Sequence, residues 1–324
     1  MPNYTMVQIS GKPATKYYGG GDYNWITPSH LLTEAANNNV GGQTLLAPVV
    51  MPYMGLPFGS AIIPSIGRGD YRAENLQIAP ATEAPRYQFN LESKRAYIDH
   101  RGIKTSIELE IEKDSADDWK WRENVTVGLA GLLNASLEKM VWDTVNVATN
   151  VASTWTVKSA FSGAGDSMTA VLGLLSGVQG ISGFRPDFVS FGYTAWPSFS
   201  ANSSVIARCG GWVTPSRVAE VLRVNTVAVH DGQYNSVSGL PPVFTPFQTS
   251  DTVAAFCTKG PRWGVRPYWA IPGVPSGPIY TEQLHDGQTR RNFIETGIWT
   301  KEVVVDETLA GTLLGVNSSQ AGGI

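Results

Sequence analysis

The stretch GRGDYRAENLQIAPATEAPRYQF, residues 67–89, decides the fold. Around it, Pro64 to Arg86 carries Arg68, Asp70, Arg72, Glu74, Glu83 and Arg86 with few apolar anchors, over more than 20 residues. A polar connection of that length is too long for an ordinary loop inside a compact domain. Its flanks, SAII before and RYQFNLESKRAYI after, are strand-like. The segment at about 62–92 therefore reads as a two-stranded finger projecting from a body. A finger without a core of its own needs a partner surface, and the six charged residues are its candidate contacts. Arg68-Gly69-Asp70 also has the form of an integrin ligand, but exposed tripeptides of this kind arise often by chance. The better reading makes Gly69 a bend in a mixed-charge surface whose exposed salt bridges, worth about 0 to 1 kcal/mol each, set register.

Outward from the finger, LLAPVVMPYMGLPFGSAII (residues 45–63) is apolar but punctuated by Pro48, Pro52 and Pro57, which argues against a helix or a central strand. It reads as an extended segment with buried side chains. Residues 1–46, rich in Gly, Asn, Thr and Tyr, read as an amino-terminal arm that is ordered only by lying on a neighbour. On the other side of the finger, SADDWKWRENVTVGLAGLLNASLEKMVWDTV places Val125, Leu129, Leu132, Leu133, Ser136, Met140 and Val141 at helical spacing. Asp114 and Ser115 are cap candidates, and Asp117 and Asp118 suit the positive helix end. This predicts a spine helix at about 115–147, roughly 45 Å long at 1.5 Å per residue. Gly128 and Gly131 each weaken it by about 1 kcal/mol, so close backbone approach is the expected reason for them.

The second half alternates. Asp166 or Ser167 caps SMTAVLGLLSGVQGIS, FRPDFVSF reads as a buried strand, YTAWPSFSAN as a short helix, and TPSRVAEVLRV as a helix capped by Thr214 with Pro215 first. VNTVAVHD, TVAAFCTK and RPYWAI are further strands. PIYTEQLHDGQTRRNFIETGIWTKEVVVDETLAGTLLG then returns toward the spine in long strands joined at Asp286-Gly287. The chain divides into the arm (1–46), a first lobe with finger and spine (47–165), an α/β lobe (166–278), and return strands with a tail (279–324).

Composition narrows the functions. The 324 residues are 42% hydrophobic and carry a formal charge of -3, so a large core is available and no cationic face advertises sequence-specific nucleic-acid binding. Cys209 and Cys257 stand apart, without CxxC or nearby histidine, and read as reduced thiols. No signal-length or membrane-spanning apolar run occurs, so the chain reads as soluble and intracellular when made. Phosphate-loop, GxSxG, HExxH and EF-hand patterns are absent from the sequence. His30, His100, His230 and His285 are dispersed and read as structural. The acids Glu108, Glu110 and Glu112 fall on one solvated strand face. Ten tryptophans raise a sugar-stacking alternative, yet they are scattered across every element, which suits packing better.

With these features in place, the sequence resembles the prophage-type major capsid proteins of tailed bacteriophages, which share the Hong Kong 97-type fold. The resemblance rests on Gly69-Asp70-Tyr71, Arg72-Ala73-Glu74 and Ala81-Thr82-Glu83-Ala84-Pro85 in the finger. It continues in ASLEKMVWDTVN at the end of the spine, FRPDFVSFGYTAWPSF, and WVTPSRVAEVLRVNTVAV. It implies an α+β fold with an arm, an extended β-hairpin loop, a peripheral domain built on the spine helix, and an axial domain meeting its copies at five-fold and six-fold axes. It also implies a non-enzymatic shell subunit, without cofactor or metal, forming pentamers and hexamers around double-stranded DNA that it touches non-specifically. A separate scaffolding protein, a portal and, in some relatives, a decoration protein would be partners. The location would be host cytoplasm during assembly, then the virion. An encapsulin-like compartment shares the fold and is the alternative, with a glycan-binding protein behind it.

Overall fold

A computed structural model describes residues 29, 32–33, 36, 45–56, 60–66, 91–108, 121–156, 161, 165–236, 241–249, 251–259, 262–270, 277–286 and 291–317. In chain order the strands are β1 Tyr53–Leu56, β2 Ser60–Ile66, β3 Leu91–Tyr97, β4 Asp99–Glu108, β5 Ser153–Thr156, β6 Phe188–Gly192 and β7 Thr226–His230. They continue with β8 Gln233–Asn235, β9 Phe244–Pro246, β10 Thr252–Phe256, β11 Gly264–Trp269, β12 Tyr280–Asp286, β13 Arg291–Thr300, β14 Val303–Val304 and β15 Ala310–Leu314. The helices are α1 Ala47–Val50, α2 Trp121–Asn146, α3 Ser167–Ser182, α4 Ala195–Ser200, α5 Ser203–Cys209 and α6 Pro215–Leu222.

Two sheets organise these elements. One runs β1-β11-β13-β12, with β4 paired to β13 and β14 to β11; the other runs β5-β15-β10-β6-β7. The mixture of helices and largely antiparallel sheets is the expected α+β class. Sheet membership departs from a simple division by sequence. β11, inside 166–278, joins the first sheet beside β1 and β13, whereas β15, inside 279–324, lies between β5 and β10 in the second. Both exchanges are decided by long-range pairing, which local periodicity does not encode.

The spine helix is described over Trp121–Asn146, with its carboxy end within one residue of expectation; the cap candidates before residue 121 lie outside the described residues. Thr126, Leu129, Ala130, Leu133, Leu137, Glu138, Val141, Trp142 and Val145 form its buried stripe. Leu132, expected inside, is 61% exposed, because it lies about 100° round the helix from Leu133. Gly128 and Gly131 correct a second expectation: a Cβ at either would meet nothing within 4 Å. Close approach within the subunit is therefore not their cause. Gly128→Ala and Gly131→Ala should each stabilise the isolated subunit by about 1 kcal/mol in chemical denaturation.

Residues 45–63 are not uniformly extended. Pro48 sits in the first turn of α1, where its missing N–H has no intrahelical acceptor, and Pro52 precedes the edge strand β1. The described part of the arm makes contacts with its own chain. Ala36 packs among Ala130, Leu133, Leu137, Ile279 and Ile298, while Thr281 N donates to Thr33 Oγ1 at 2.9 Å. The helices of the α/β lobe keep their predicted signals. Asp166 accepts from Thr169 N, Thr214 accepts from Arg217 N behind Pro215, and Gly183 ends α3 at φ 78°. The Asp286-Gly287 hairpin is wider than expected: Asp286 pairs with Arg291, so the connection occupies residues 287–290, which lie outside the described set.

Candidate assembly surface

The base of the predicted finger is an antiparallel ribbon. β2 and β3 pair from Ser60↔Tyr97 to Ile66↔Leu91, so the chain leaves and re-enters the body side by side. Strand alternation gives the ribbon two faces. Inward, Ile63 and Ala96 are buried with Val265 against Met54, Val303 and Val305, and Lys94 Nζ donates to the Val304 carbonyl at 3.0 Å. Outward, Ile62 and Tyr97 are 63% and 61% exposed, and Arg95 Nη1 donates to Tyr97 Oη at 3.4 Å. The ribbon is thus fastened to its own body on one side and offers a pair of large apolar groups on the other. Arg68, Asp70, Arg72, Glu74, Glu83 and Arg86 all lie beyond residue 66 and before residue 91, outside the described residues.

Other exposed apolar groups sit on the second lobe. Trp212 is 84% exposed on the turn that follows Gly210 and Gly211, whose φ values are 72° and 97°, and Phe244 projects from the small β8–β9 hairpin. The remaining described tryptophans are mostly packing groups. Trp142 and Trp263 lie in the core that joins the two sheets, Trp269 and Trp299 stack edge to face at 5.2 Å, and Trp196 packs on Phe191.

Where the two sheets, the spine helix and the arm root meet, sequence reading missed a buried charged cluster. Glu138 Oε1 accepts from Leu46 N at 3.0 Å and Trp142 Nε1 at 2.8 Å, and Oε2 accepts from Ala47 N at 2.9 Å. Its carboxylate therefore caps the otherwise uncapped start of α1. His230, at the end of β7 and fully buried, places Nε2 3.2 Å from Glu138 Oε1 but out of line for a hydrogen bond, and its Nδ1 has no partner. Its ring is stacked on Phe247 and tilted against Trp142. Arg266 of β11 donates from Nε to Met51 O at 2.9 Å and lies over the Tyr53 ring at 4.0 Å, while its Nη2 is unpartnered. Glu138 and Arg266 face a cavity of about 140 Å³ that Leu45, Tyr53, Asn134 and Ile279 help to line. Burial pushes the His230 imidazole down to about 4 and raises the Glu138 carboxyl against the pull of its N–H donors. The signal was in the sequence: Glu138 falls between Leu137 and Val141 on the apolar face of the spine, where a solvated glutamate has no place.

The other candidates have structural settings. His100 Nε2 is 2.7 Å from Tyr280 Oη, with its ring stacked on Trp299 at 4.2 Å. Cys209 and Cys257 are free and buried, and burial pushes Cys257 up to about 12, which leaves it an inert thiol. Among the described residues no group of three or more His, Cys, Asp or Glu could hold a metal ion, and no helix is long and apolar enough to cross a membrane. His30, Glu110, Glu112, Asp117 and Asp118 lie outside the described residues, and the side chains of Glu108 and His285 are likewise not described.

Two sheets meeting at a spine helix, an arm root laid on the body and a paired β2–β3 ribbon together make the fold of phage capsid proteins. The crystal structure of a phage-related protein from Bordetella bronchiseptica RB50 superposes at a TM-score of 0.67, covering 90% of this chain and 97% of that one at 13% identity. The capsid structure of the cyanophage P-SCSP1u matches at 0.57, over 97% and 93% of the two chains, also at 13% identity. The holo-SrpI encapsulin complex from Synechococcus elongatus PCC 7942 matches at 0.50, over 86% and 89%, at 11% identity. No protein-family model and no curated protein matches the chain in sequence.

Proposed function

We propose that the protein is a major capsid protein of the tailed-bacteriophage, Hong Kong 97 type, a structural subunit without enzymatic activity. Its copies assemble as pentamers and hexamers into an icosahedral head enclosing double-stranded DNA. The observation that carries this reading, beyond the shared fold, is the β2–β3 ribbon, anchored inward by Ile63 and Ala96 and presenting Ile62 and Tyr97 outward. The outward pair, flanked by the exposed Arg95, offers a mixed apolar and charged surface that a copy of the chain could cover in a closed shell. Burying a large apolar side chain fully contributes about 1.5 to 3 kcal/mol before ordering costs, so modest contacts repeated around rings give a durable wall. The charge of -3 suits a wall that does not grip the DNA it encloses. A scaffolding protein, a portal and a decoration protein are the partners this role calls for, with assembly in the host cytoplasm and final residence in the virion.

Expression with its scaffold should yield hollow particles in electron micrographs; a chain that stays monomeric under all assembly conditions would overturn the reading. Arg68→Glu with Arg72→Glu should reduce particle yield severalfold while leaving the denaturation midpoint of the isolated subunit in place. Normal yield in that double variant would remove these charges from the interface. The second reading, a nanocompartment shell, is favoured by the likeness to the encapsulin complex. Purified particles containing a protein cargo rather than packaged DNA would select it.

A further inference from the structure

We propose that His230, Glu138 and the root of the arm form a proton-operated latch, in which charging the His230 ring displaces it from its slot and loosens the hold of Glu138 on Leu46 and Ala47. The geometry makes the neutral ring the only form that fits. Nδ1 has no acceptor and Nε2 is misaligned with Glu138 Oε1, so an imidazolium in place would bury at least one charged N–H without a partner. Phe247 is stacked on the ring and Trp142 is tilted against it, so two aromatic side chains resist its reorientation. Glu138 can turn to meet it only by releasing its donors, because the same oxygen already accepts from Leu46 N, Ala47 N and Trp142 Nε1. A charged ring must leave, or draw the carboxylate away from the start of α1.

The other charges around the ring do not replace Glu138. Asp231, its neighbour on the chain, favours the charged ring but makes no contact that holds it. From the spine helix Lys139, paired with Asp143, lies over Tyr234 beyond Phe247. From β11 Arg266 balances Glu138 across the cavity, with Tyr53 beneath it, and Glu302 is paired to Arg101 at 3.7 Å. The latch touches the spine through Glu138, the arm root through Leu46 and Ala47, and the two sheets through His230 on β7 and Arg266 on β11.

The sign of the effect follows from burial. The closed latch holds the imidazole pKa at about 4, against 6.5 when the ring is free, so opening takes up a proton between these values. Opening is unaffected above pH 6.5, grows easier as pH falls, and reaches its full effect below about 4. The interval of 2.5 units sets a ceiling of about 300-fold on the opening constant. Glu138, whose carboxyl is raised by burial, takes up a proton in the closed state and works in the opposite direction, so the His230 contribution is read as a difference between variants.

The test is hydrogen exchange of the Leu46 and Ala47 amides in the isolated full chain from pH 7 to 4, corrected for intrinsic rates; shell assembly plays no part in it. Protection in the native protein should fall by about 10- to 100-fold more than in His230→Phe, which keeps the aromatic stack without a charge. Equal pH dependence in the two proteins overturns the latch. Should His230→Phe fail to fold, histidine-selective NMR of the native chain decides: a ring titrating near 4 together with loss of Leu46 and Ala47 protection supports it. A ring titrating near 6.5 with protection unchanged overturns it.

Discussion

Glu138→Leu should cost the isolated subunit about 3 to 5 kcal/mol, a large share of the roughly 5 to 15 kcal/mol that usually holds a domain folded. The substitution preserves volume and apolar contact but strips Leu46 N, Ala47 N and Trp142 Nε1 of their common acceptor. Each buried donor left without a partner costs about 1 to 3 kcal/mol. Arg266 would also lose a charge that favours its own, in a site where its Nη2 already lacks a partner. Glu138→Gln retains one oxygen for Trp142 and Leu46 and should cost less than half as much. Urea denaturation of the three proteins distinguishes a capping carboxylate from a merely tolerated one: equal stability of Glu138→Leu and the native chain would show that these contacts contribute nothing net.

Gly311→Val should have the next largest effect, a loss of about 3 kcal/mol or more in the same measurement. Trp155, on β5, lies in a slot between two glycines, Gly311 on β15 and Gly177 on α3. A Cβ at Gly311 would come within 2.7 Å of both Trp155 and Val178, and one at Gly177 within 2.6 Å of Trp155. The atoms in the way are ring carbons and a methyl in the core under α3, so relief requires the helix to lift from the sheet. Gly173→Ala, on the same helix with nothing within 4 Å, should instead stabilise by about 1 kcal/mol. If Gly311→Val melts with the native chain, the slot is wider than drawn.

These two sites show where sequence reading stops. The spine helix, α3 with its Asp166 cap, α6 with Thr214 and Pro215, and the strand Phe188–Gly192 were legible because each signal is local: a period, a cap, a turn residue. The ribbon was legible for a related reason, since a long polar stretch between two strand-like flanks has few ways to fold, and β2 pairs with β3 as those flanks require. Leu132 was misplaced because helical spacing identifies a stripe but not its centre, and only the elements packed on α2 fix which arc is covered.

The glycines mark the boundary most clearly. Gly128 and Gly131 suggested close approach and face open space, while Gly177 and Gly311, unremarked in the sequence, hold a tryptophan between them. A glycine in a sequence records that a side chain is missing, not what stands in its place. Local signals in the sequence determined the spine helix and the paired flanks of the finger, while the α+β capsid fold was legible only through the resemblance carried by the quoted motifs. Tertiary structure alone decided which sheet owns β11 and β15, that Glu138 caps the arm root, and that His230 is sealed beside it. Those facts depend on pairings between residues up to about two hundred positions apart, such as Leu46 with Glu138 and Met51 with Arg266, separated by 92 and 215 residues, and no local pattern carries them.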